Sequence, residues 1–230
     1  MGKVHARLLG NEHYAVLVTD RGGGFSAYRG LAITRWSPDP LADAAGPACY
    51  LRDLDSGRFW RIGMPPSGAG SAHVRSEGAV VRLATEYDGI TARLTVAVAA
   101  AAPLEVRRVR VENRSGRPRR IELTTYAELV FNTPAADAGH PAFSKLFVQT
   151  AHEPDAGALL AWRRLRSPDD VRLHVAQRLV TAAPVEHETD RMRFIGRGRS
   201  LAAPAALVCR TPLSGTTGNV LDPVFAQRAA

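Results

Sequence analysis

Strict alternation of apolar and polar residues from Ile90 to Val98 constrains the fold of this chain more than any other feature. Ile90, Ala92, Leu94, Val96 and Val98 fall on one side of an extended backbone, and Thr91, Arg93 and Thr95 fall on the other. Successive strand side chains point to opposite faces, so a period of two predicts a half-buried antiparallel strand. Asp88-Gly89 directly before it is a tight-turn pair, and Val80 to Tyr87 reads as the partner strand of a hairpin.

The same pattern recurs along the chain. Leu104 to Glu112 reads as a strand whose apolar positions change phase between Val106 and Val109, which predicts a bulge. Asn113 to Gly116 is a turn. Ile121 to Phe131 is a long strand with Ile121, Leu123, Thr125, Ala127, Leu129 and Phe131 on one face. Leu146 to Thr150, Ala158 to Trp162, Arg172 to Leu179 and Ala205 to Cys209 are further strand candidates. Proline- and glycine-bearing loops are expected at Ser37 to Pro47, Gly63 to Ser71, Asn132 to Pro141 and Ser167 to Asp170. Helical periodicity nowhere exceeds about ten residues, and Pro141 to Lys145 offers a single turn. These readings predict an all-β chain, a large antiparallel β-sandwich forming one domain over residues 1–230. A chain of 230 residues is long enough to bury roughly 70% of its unfolded surface.

One strand run ends at Gly22-Gly23-Gly24 and is followed by Phe25, Ser26 and a second run from Leu31 to Trp36. Consecutive glycines between strands mark backbone that needs positive φ or that approaches something closely. Phe25 and Tyr28 beside them either cover a sugar ring or fill a core. The triplet is not a phosphate-binding loop, because no Gly-Lys-Ser/Thr follows it.

The formal net charge is +8, carried almost wholly by arginine, since Lys3 and Lys145 are the only lysines. Arginines cluster at 107–110, 117–120, 163–166 and 197–199. Such clusters suit a polyanion-binding module. The other reading is an arginine-rich, lysine-poor composition with arginines on exposed strand faces. No helix-turn-helix, RNP-like or zinc-finger pattern accompanies them, so no nucleic acid partner is expected. Cys49 and Cys209 form no CxxC pair and are expected as buried, reduced thiols. No two histidines sit at ligand spacing, so neither a metal nor another cofactor is called for.

No apolar run reaches the roughly 18 residues of a membrane span. The amino terminus lacks the apolar core of a secretory signal, and Ala6 spoils a myristoylation context at Gly2. A cytoplasmic location is expected, at the inner membrane face if the chain belongs to a longer synthase. Residues Gly215 to Phe225 still read as part of a fold close to the final Ala230, which suggests a truncated product or an excised domain.

Several blocks in order carry a family likeness. Leu8-Leu-Gly-Asn, Val18-Thr-Asp-Arg-Gly-Gly-Gly-Phe-Ser26, Ala32-Ile-Thr-Arg-Trp36 and Tyr50-Leu-Arg-Asp-Leu-Asp-Ser-Gly57 with Trp60 form its first half. Arg108 to Asn113, Ile121 to Glu128, Pro134 to Thr150 and the tail Leu213 to Phe225 continue it. Together they resemble the amino-terminal sandwich of glycoside hydrolase family 94, formerly glycosyltransferase family 36, most of all its cyclic β-1,2-glucan synthase branch. The resemblance implies a galactose-mutarotase-like supersandwich whose last strands lie beyond this chain. It also implies a missing (α/α)6 barrel, where phosphate attacks the anomeric carbon of a β-glucoside with inversion. The sandwich would flank that active site and help form a homodimer, with weak binding of β-glucan or another carbohydrate. The chain alone is then expected to be non-catalytic.

On this likeness Gly23 and Gly24 approach a sugar in the neighbouring cleft. Tyr28, Arg29, Arg35, Trp36 and Asp53 complete the candidate substrate site, because a pyranose offers an apolar face to rings and hydroxyl edges to Arg and Asp. The competing reading places Trp36 in the core and pairs Arg35 or Arg52 with Asp53. A stand-alone aldose epimerase is the enzymatic alternative. Mutarotase-like sandwiches open a sugar ring with a histidine acid and a carboxylate base, for which Glu128, His140 and His174 are the candidates. The long polar loop 132–143, with Asp137 and His140, either packs on a partner or is plain surface.

Overall fold

The computed structural model describes residues 4–37, 46–165, 167, 172–209 and 211–230. Most of the expected loops Ser37 to Pro47 and Ser167 to Asp170 lie outside these residues, as do Lys3 and Arg166 of the basic count. The first strands are β1 (Ala6–Gly10), β2 (Tyr14–Thr19), β3 (Gly24–Tyr28) and β4 (Leu31–Thr34). Next come β5 (Ala48–Asp53), β6 (Phe59–Arg61), β7 (Gly70–Glu77) and β8 (Val80–Tyr87). They are followed by β9 (Ile90–Val98), β10 (Glu105–Asn113) and β11 (Ile121–Asn132). The short helices α1 (Pro134–Gly139) and α2 (Pro141–Lys145) precede β12 (Val148–Glu153), β13 (Ala158–Arg163), β14 (His174–Arg178) and β15 (Glu186–Asp190). Helices α3 (Arg191–Ile195) and α4 (Ala205–Val208) and strand β16 (Pro223–Ala229) close the sequence of elements. The fold is all-β and antiparallel, as the alternation predicts. Among the described residues no helix is long and apolar enough to cross a membrane.

The chain divides into two compact units, Met1–Arg29 with Trp36–Glu122, and Gly30–Arg35 with Leu123–Ala230. In the first unit, β1, β2 and β3 pair antiparallel in that order, and β10-β9-β8-β7 form a four-stranded sheet. Tyr14, Val16 and Val18 alternate inward on β2, and Ile90, Ala92, Leu94 and Val96 do so on β9, all buried. Burial of each such larger side chain contributes about 1.5–3 kcal/mol, which is what holds a two-layer sandwich together. The predicted hairpin is present: Tyr87 pairs with Ile90, and Asp88 and Gly89 take φ values of 50° and 74°. Positive φ at both turn residues matches the right-handed strand twist.

The expected bulge after Leu104 is absent. From Glu105↔Val98 to Asn113↔Ile90, β10 and β9 pair without a register shift. The inward positions of β10 begin with Glu105 and Arg107, while Val106 is left exposed. A buried ion pair thus occupies places where an apolar pattern was sought, and the phase change was only apparent.

In the second unit β4-β11-β16-β15 form one sheet and β12-β13-β14 another. Between them Gln177 Nε2 donates to Thr125 Oγ1 (3.3 Å), the Leu179 amide donates to Gln227 Oε1 (2.8 Å), and Thr150 and Thr189 hydroxyls meet at 2.8 Å. The other face of the β11 sheet is covered by α3, with Tyr126 stacked on Phe194 at 4.7 Å between centroids. Coverage on both faces corrects the single inward face expected for Ile121 to Phe131. Glu122, Thr124 and Tyr126 are buried, and the register shifts between Leu129 and Asn132. Ala205 to Cys209 is also corrected, since α4 is a single helical turn entered from Pro204. Short apolar runs do not separate strand from helix by periodicity. The turn at Pro141–Lys145 is helical as predicted, and α1 adds an unforeseen one within the expected loop. There the Thr133 hydroxyl accepts from the Ala136 amide, with proline in the first turn. Cys49 is buried and Cys209 exposed, so only the first is the buried thiol expected, and neither forms a disulfide.

Candidate functional site

The glycine triplet closes the β2–β3 turn. Thr19 N donates to Gly23 O (3.0 Å), Gly22 N to Thr19 O (3.0 Å) and Gly23 N to Thr19 Oγ1 (2.8 Å). Gly22 and Gly24 have φ of 79° and 131°, and a Cβ on Gly24 would run into the Leu17 carbonyl oxygen. Close backbone approach is therefore real, and here it is to the chain's own strand. Beside the turn Trp36 is half-buried and stacks on Phe25, with centroids 6.1 Å apart at 29°. At the far end of β3 the exposed Arg29 guanidinium lies over the Tyr28 ring, 5.4 Å from its centroid. That cation–π contact holds the exposed guanidinium against a half-buried ring.

Asp53 belongs to a different cluster. Its Oδ1 accepts from the Asp55 and Ser56 amides (2.8 and 3.2 Å), closing its own turn, and its Oδ2 accepts from Arg119. Arg119 also donates to Asp88 Oδ2 at 2.8 Å and to the Asp88 carbonyl at 2.9 Å. Burial raises the Asp53 pKa, but the two amides and Arg119 outweigh it and hold the carboxyl below its usual value. Neither pairing expected for Asp53 forms. Arg52 pairs with Glu122 at 2.9 Å, and Arg35 lies in the second unit.

A third cluster of the first unit was missed in the sequence. Glu105 on β10 accepts from Ser26 Oγ (2.5 Å), from Tyr14 Oη (3.1 Å) and from Arg107. Burial opposes ionisation, yet Arg107, Ser26 and Tyr14 together keep Glu105 below its usual pKa. Tyr14 is pushed well above its ordinary value by burial and then by Glu105. Glu105 and Arg107 stand two apart on a strand, and that spacing puts them on one face. It was the available signal.

In the second unit, Arg35 follows β4 and reaches Asp137 of α1 (2.9 Å from Nε, 2.5 Å from Nη2) and Glu128 of β11 (3.4 Å). Glu128 also accepts from Arg191 Nε at the start of α3 (2.7 Å) and from Tyr126 Oη (3.0 Å). Asp222 pairs with Lys145 at 2.6 Å and with Arg191 at 3.8 Å. Burial raises the Glu128 pKa, but Arg191, Tyr126 and Arg35 outweigh it and the carboxyl is held below its usual value. Asp137 therefore ties its loop inward rather than lying on plain surface. Arg191, Asp222 and Lys145 come from segments far apart in sequence and carry no local signal. His140 caps α2 from an exposed position, and His174 stands on β14 with its ring nearly parallel to Trp162 (16°, centroids 5.9 Å apart). Each hydrogen bond to the Glu128 carboxylate comes from Arg35, Tyr126 or Arg191, and none from a histidine.

Part of the clustered basic charge is ion-paired: Arg107, Arg119 and Arg120 pair with Glu105, Asp53 and Asp55. Arg163 and Arg164 instead donate to the Ser144 and Leu146 carbonyls. Among the described residues no group of three His, Cys, Asp or Glu side chains is placed to hold a metal ion.

The chain matches the family described as "Glycosyl hydrolase 94, supersandwich domain" over residues 3–230, and it belongs to that family. It is similar to cyclic beta-(1,2)-glucan synthase NdvB of Rhizobium meliloti (strain 1021), with 37% identity over 232 residues, 96% of this chain and 8% of that protein. It is also similar to the N,N'-diacetylchitobiose phosphorylases of Vibrio proteolyticus and Vibrio furnissii. Each is 27% identical over 86% of this chain and 25% of the phosphorylase. The chain thus spans between 8% and 25% of the length of these relatives.

Proposed function

We propose that this chain is a non-catalytic carbohydrate-associated sandwich. In a longer protein of glycoside phosphorylase or cyclic β-glucan synthase type it would flank the active site of a catalytic barrel and contribute to a homodimer. The observation that carries this reading is the family match over residues 3–230 together with relatives that act on glycans and are several times longer. The geometry of Glu128 supports the same side of the choice. A ring-opening base needs a lone pair free to take a proton near its operating pH, and this carboxylate is clamped by two arginines and a tyrosine. Of the residues singled out by the likeness, Tyr28, Arg29 and Trp36 of the first unit keep exposed surface and are proposed to lie closest to substrate in the assembled protein. Gly23, Gly24 and Asp53 are instead buried, and Arg35 is engaged by Asp137 and Glu128. A cytoplasmic setting is proposed as well.

An antibody against the purified chain, used on extracts of the source cells, is expected to reveal a protein much larger than 24.8 kDa. The chain alone is expected to release no α-glucose 1-phosphate from β-1,2-glucan and phosphate, and to leave the optical rotation of fresh α-glucose decaying at its spontaneous rate. A native protein of the chain's own mass that accelerates mutarotation, with the acceleration lost in Glu128→Gln, would replace this reading with the epimerase.

A further inference from the structure

The sheet β12-β13-β14 has one closed face and one open face. Val148, Thr150, Leu159 and Ala161 point to the closed face and are buried. The registers Gln149↔Trp162↔His174, Ala151↔Leu160↔Ala176 and Glu153↔Ala158↔Arg178 define the other. At its centre Trp162 and Leu160 are half-exposed beside the exposed His174 and Ala176. Among the described residues this large indole is left partly in water on the open face of its sheet.

The ring is held in place. Trp162 Nε1 donates to Gln149 Oε1 at 2.9 Å, and Gln149 Nε2 donates to Asn219 Oδ1 at 2.8 Å. These two bonds fix the indole orientation, and Asn219 at their end is exposed. His174 lies nearly parallel to the indole, and both rings line a depression of about 210 Å³ with Leu160, Val175 and Ala176. That volume is below the roughly 300–1,000 Å³ typical of drug-sized ligands, and suits one sugar ring at a time. Charge selects the ligand class. In a chain of net charge +8, the centre of this face carries neither arginine nor carboxylate among the described residues, and Glu153 and Arg178 flank Ala158 at its far end. An uncharged polyol with an apolar face matches side-chain amides beside a rigid indole, whereas a polyanion does not.

We propose that this open face, centred on Trp162 with His174, Leu160 and the Gln149–Asn219 amide pair, is a glycan-holding site for a β-linked glucan. The proposal rests on the carbohydrate-associated reading above and deepens it with a surface that lies on a single sheet. Aromatic stacking on the sugar ring supplies the affinity, and Asn219 supplies donors to hydroxyl oxygens.

Calorimetric titration of the chain with a linear β-1,2-glucan of defined length tests it, with dextran sulfate in parallel. Saturable, salt-insensitive binding is expected, weakened about tenfold in Trp162→Ala, consistent with the loss of one ring contact. Trp162→Phe should retain part of it. Asn219→Ala, an exposed change that leaves the sheet intact, should weaken binding about threefold. Thermal melts of each variant separate loss of ligand from loss of fold. Absence of saturable binding by the unmodified chain overturns the site, as does undiminished binding by Trp162→Ala. A preference for dextran sulfate that salt abolishes overturns it too. So does a change in sedimentation in Trp162→Ala without a change in glucan affinity, which would make the face a contact between copies. None of these outcomes touches the native-mass measurement, so the site can fail while the parent reading stands.

Discussion

Glu105 and Glu128 are the same group in two differently built surroundings. Each side chain keeps only 13% of its exposure, and each is held below its usual pKa against the cost of burial. Glu105 depends on one arginine, two residues along its own strand, plus hydroxyls from β2 and β3. Glu128 shares two arginines from segments remote in sequence, Arg35 after β4 and Arg191 at α3. The first arrangement joins β10 to β2 and β3 through two hydroxyls and relies on a single cation for its charge. The second ties loops and a helix to a central strand with redundancy.

That contrast predicts unequal sensitivity, and the largest effect falls on the single cation. Arg107→Ala leaves a buried carboxylate without its counter-charge and is expected to destabilise the first unit by about 3–5 kcal/mol. Urea unfolding followed by exchange of the β9–β10 amides reads this. A loss no larger than that of a surface substitution would erase the distinction. Arg35→Ala should cost about 1–2 kcal/mol, because Arg191 still neutralises Glu128, and Arg35→Ala with Arg191→Ala should cost more than the sum of the two. Strict additivity would show that the redundancy is not energetic.

Acid sharpens the comparison further. Both glutamates have lowered folded pKa values, so their contribution is fully present above the ordinary 4.5 and is lost as pH falls through the folded values. His187, stacked on His152 at 4.0 Å, is lowered from 6.5 by burial and then by His152. The fold favours its neutral form, so that stabilisation begins to be lost as pH drops below 6.5 and is gone below the folded value. The β15 and β16 amides of the second unit should therefore lose exchange protection at a higher pH than those of β9 and β10. Simultaneous loss in both would remove His187 from the account. The smallest effect is expected for Trp162→Ala, about 1 kcal/mol or less in stability, because the indole stands half-exposed on the open face of its sheet.

Local rules reached some of these features and not others. The Val80–Val98 hairpin was readable because alternation and Asp88-Gly89 act within a few residues. β10 was misjudged because an inward ion pair looks polar to a rule that sorts apolar from polar. The face of β11 was misjudged because α3, nearly sixty residues later, covers its second side. Arg35 and Glu128 were both singled out from the sequence. Their joint partners, Arg191 and Asp137, depend on where α3 and α1 fold back, which no spacing near either residue records.

The sequence by itself determined an antiparallel all-β chain of a recognisable family, because strand period, turn chemistry and ordered motif blocks are local and additive. Which arginine meets which carboxylate, that Asp53 serves Arg119, and that Trp162 stands on an open face were decided only in the tertiary structure. Electrostatic pairing and burial depend on distance in space, and residues a hundred positions apart acquire that distance only when the sheets assemble.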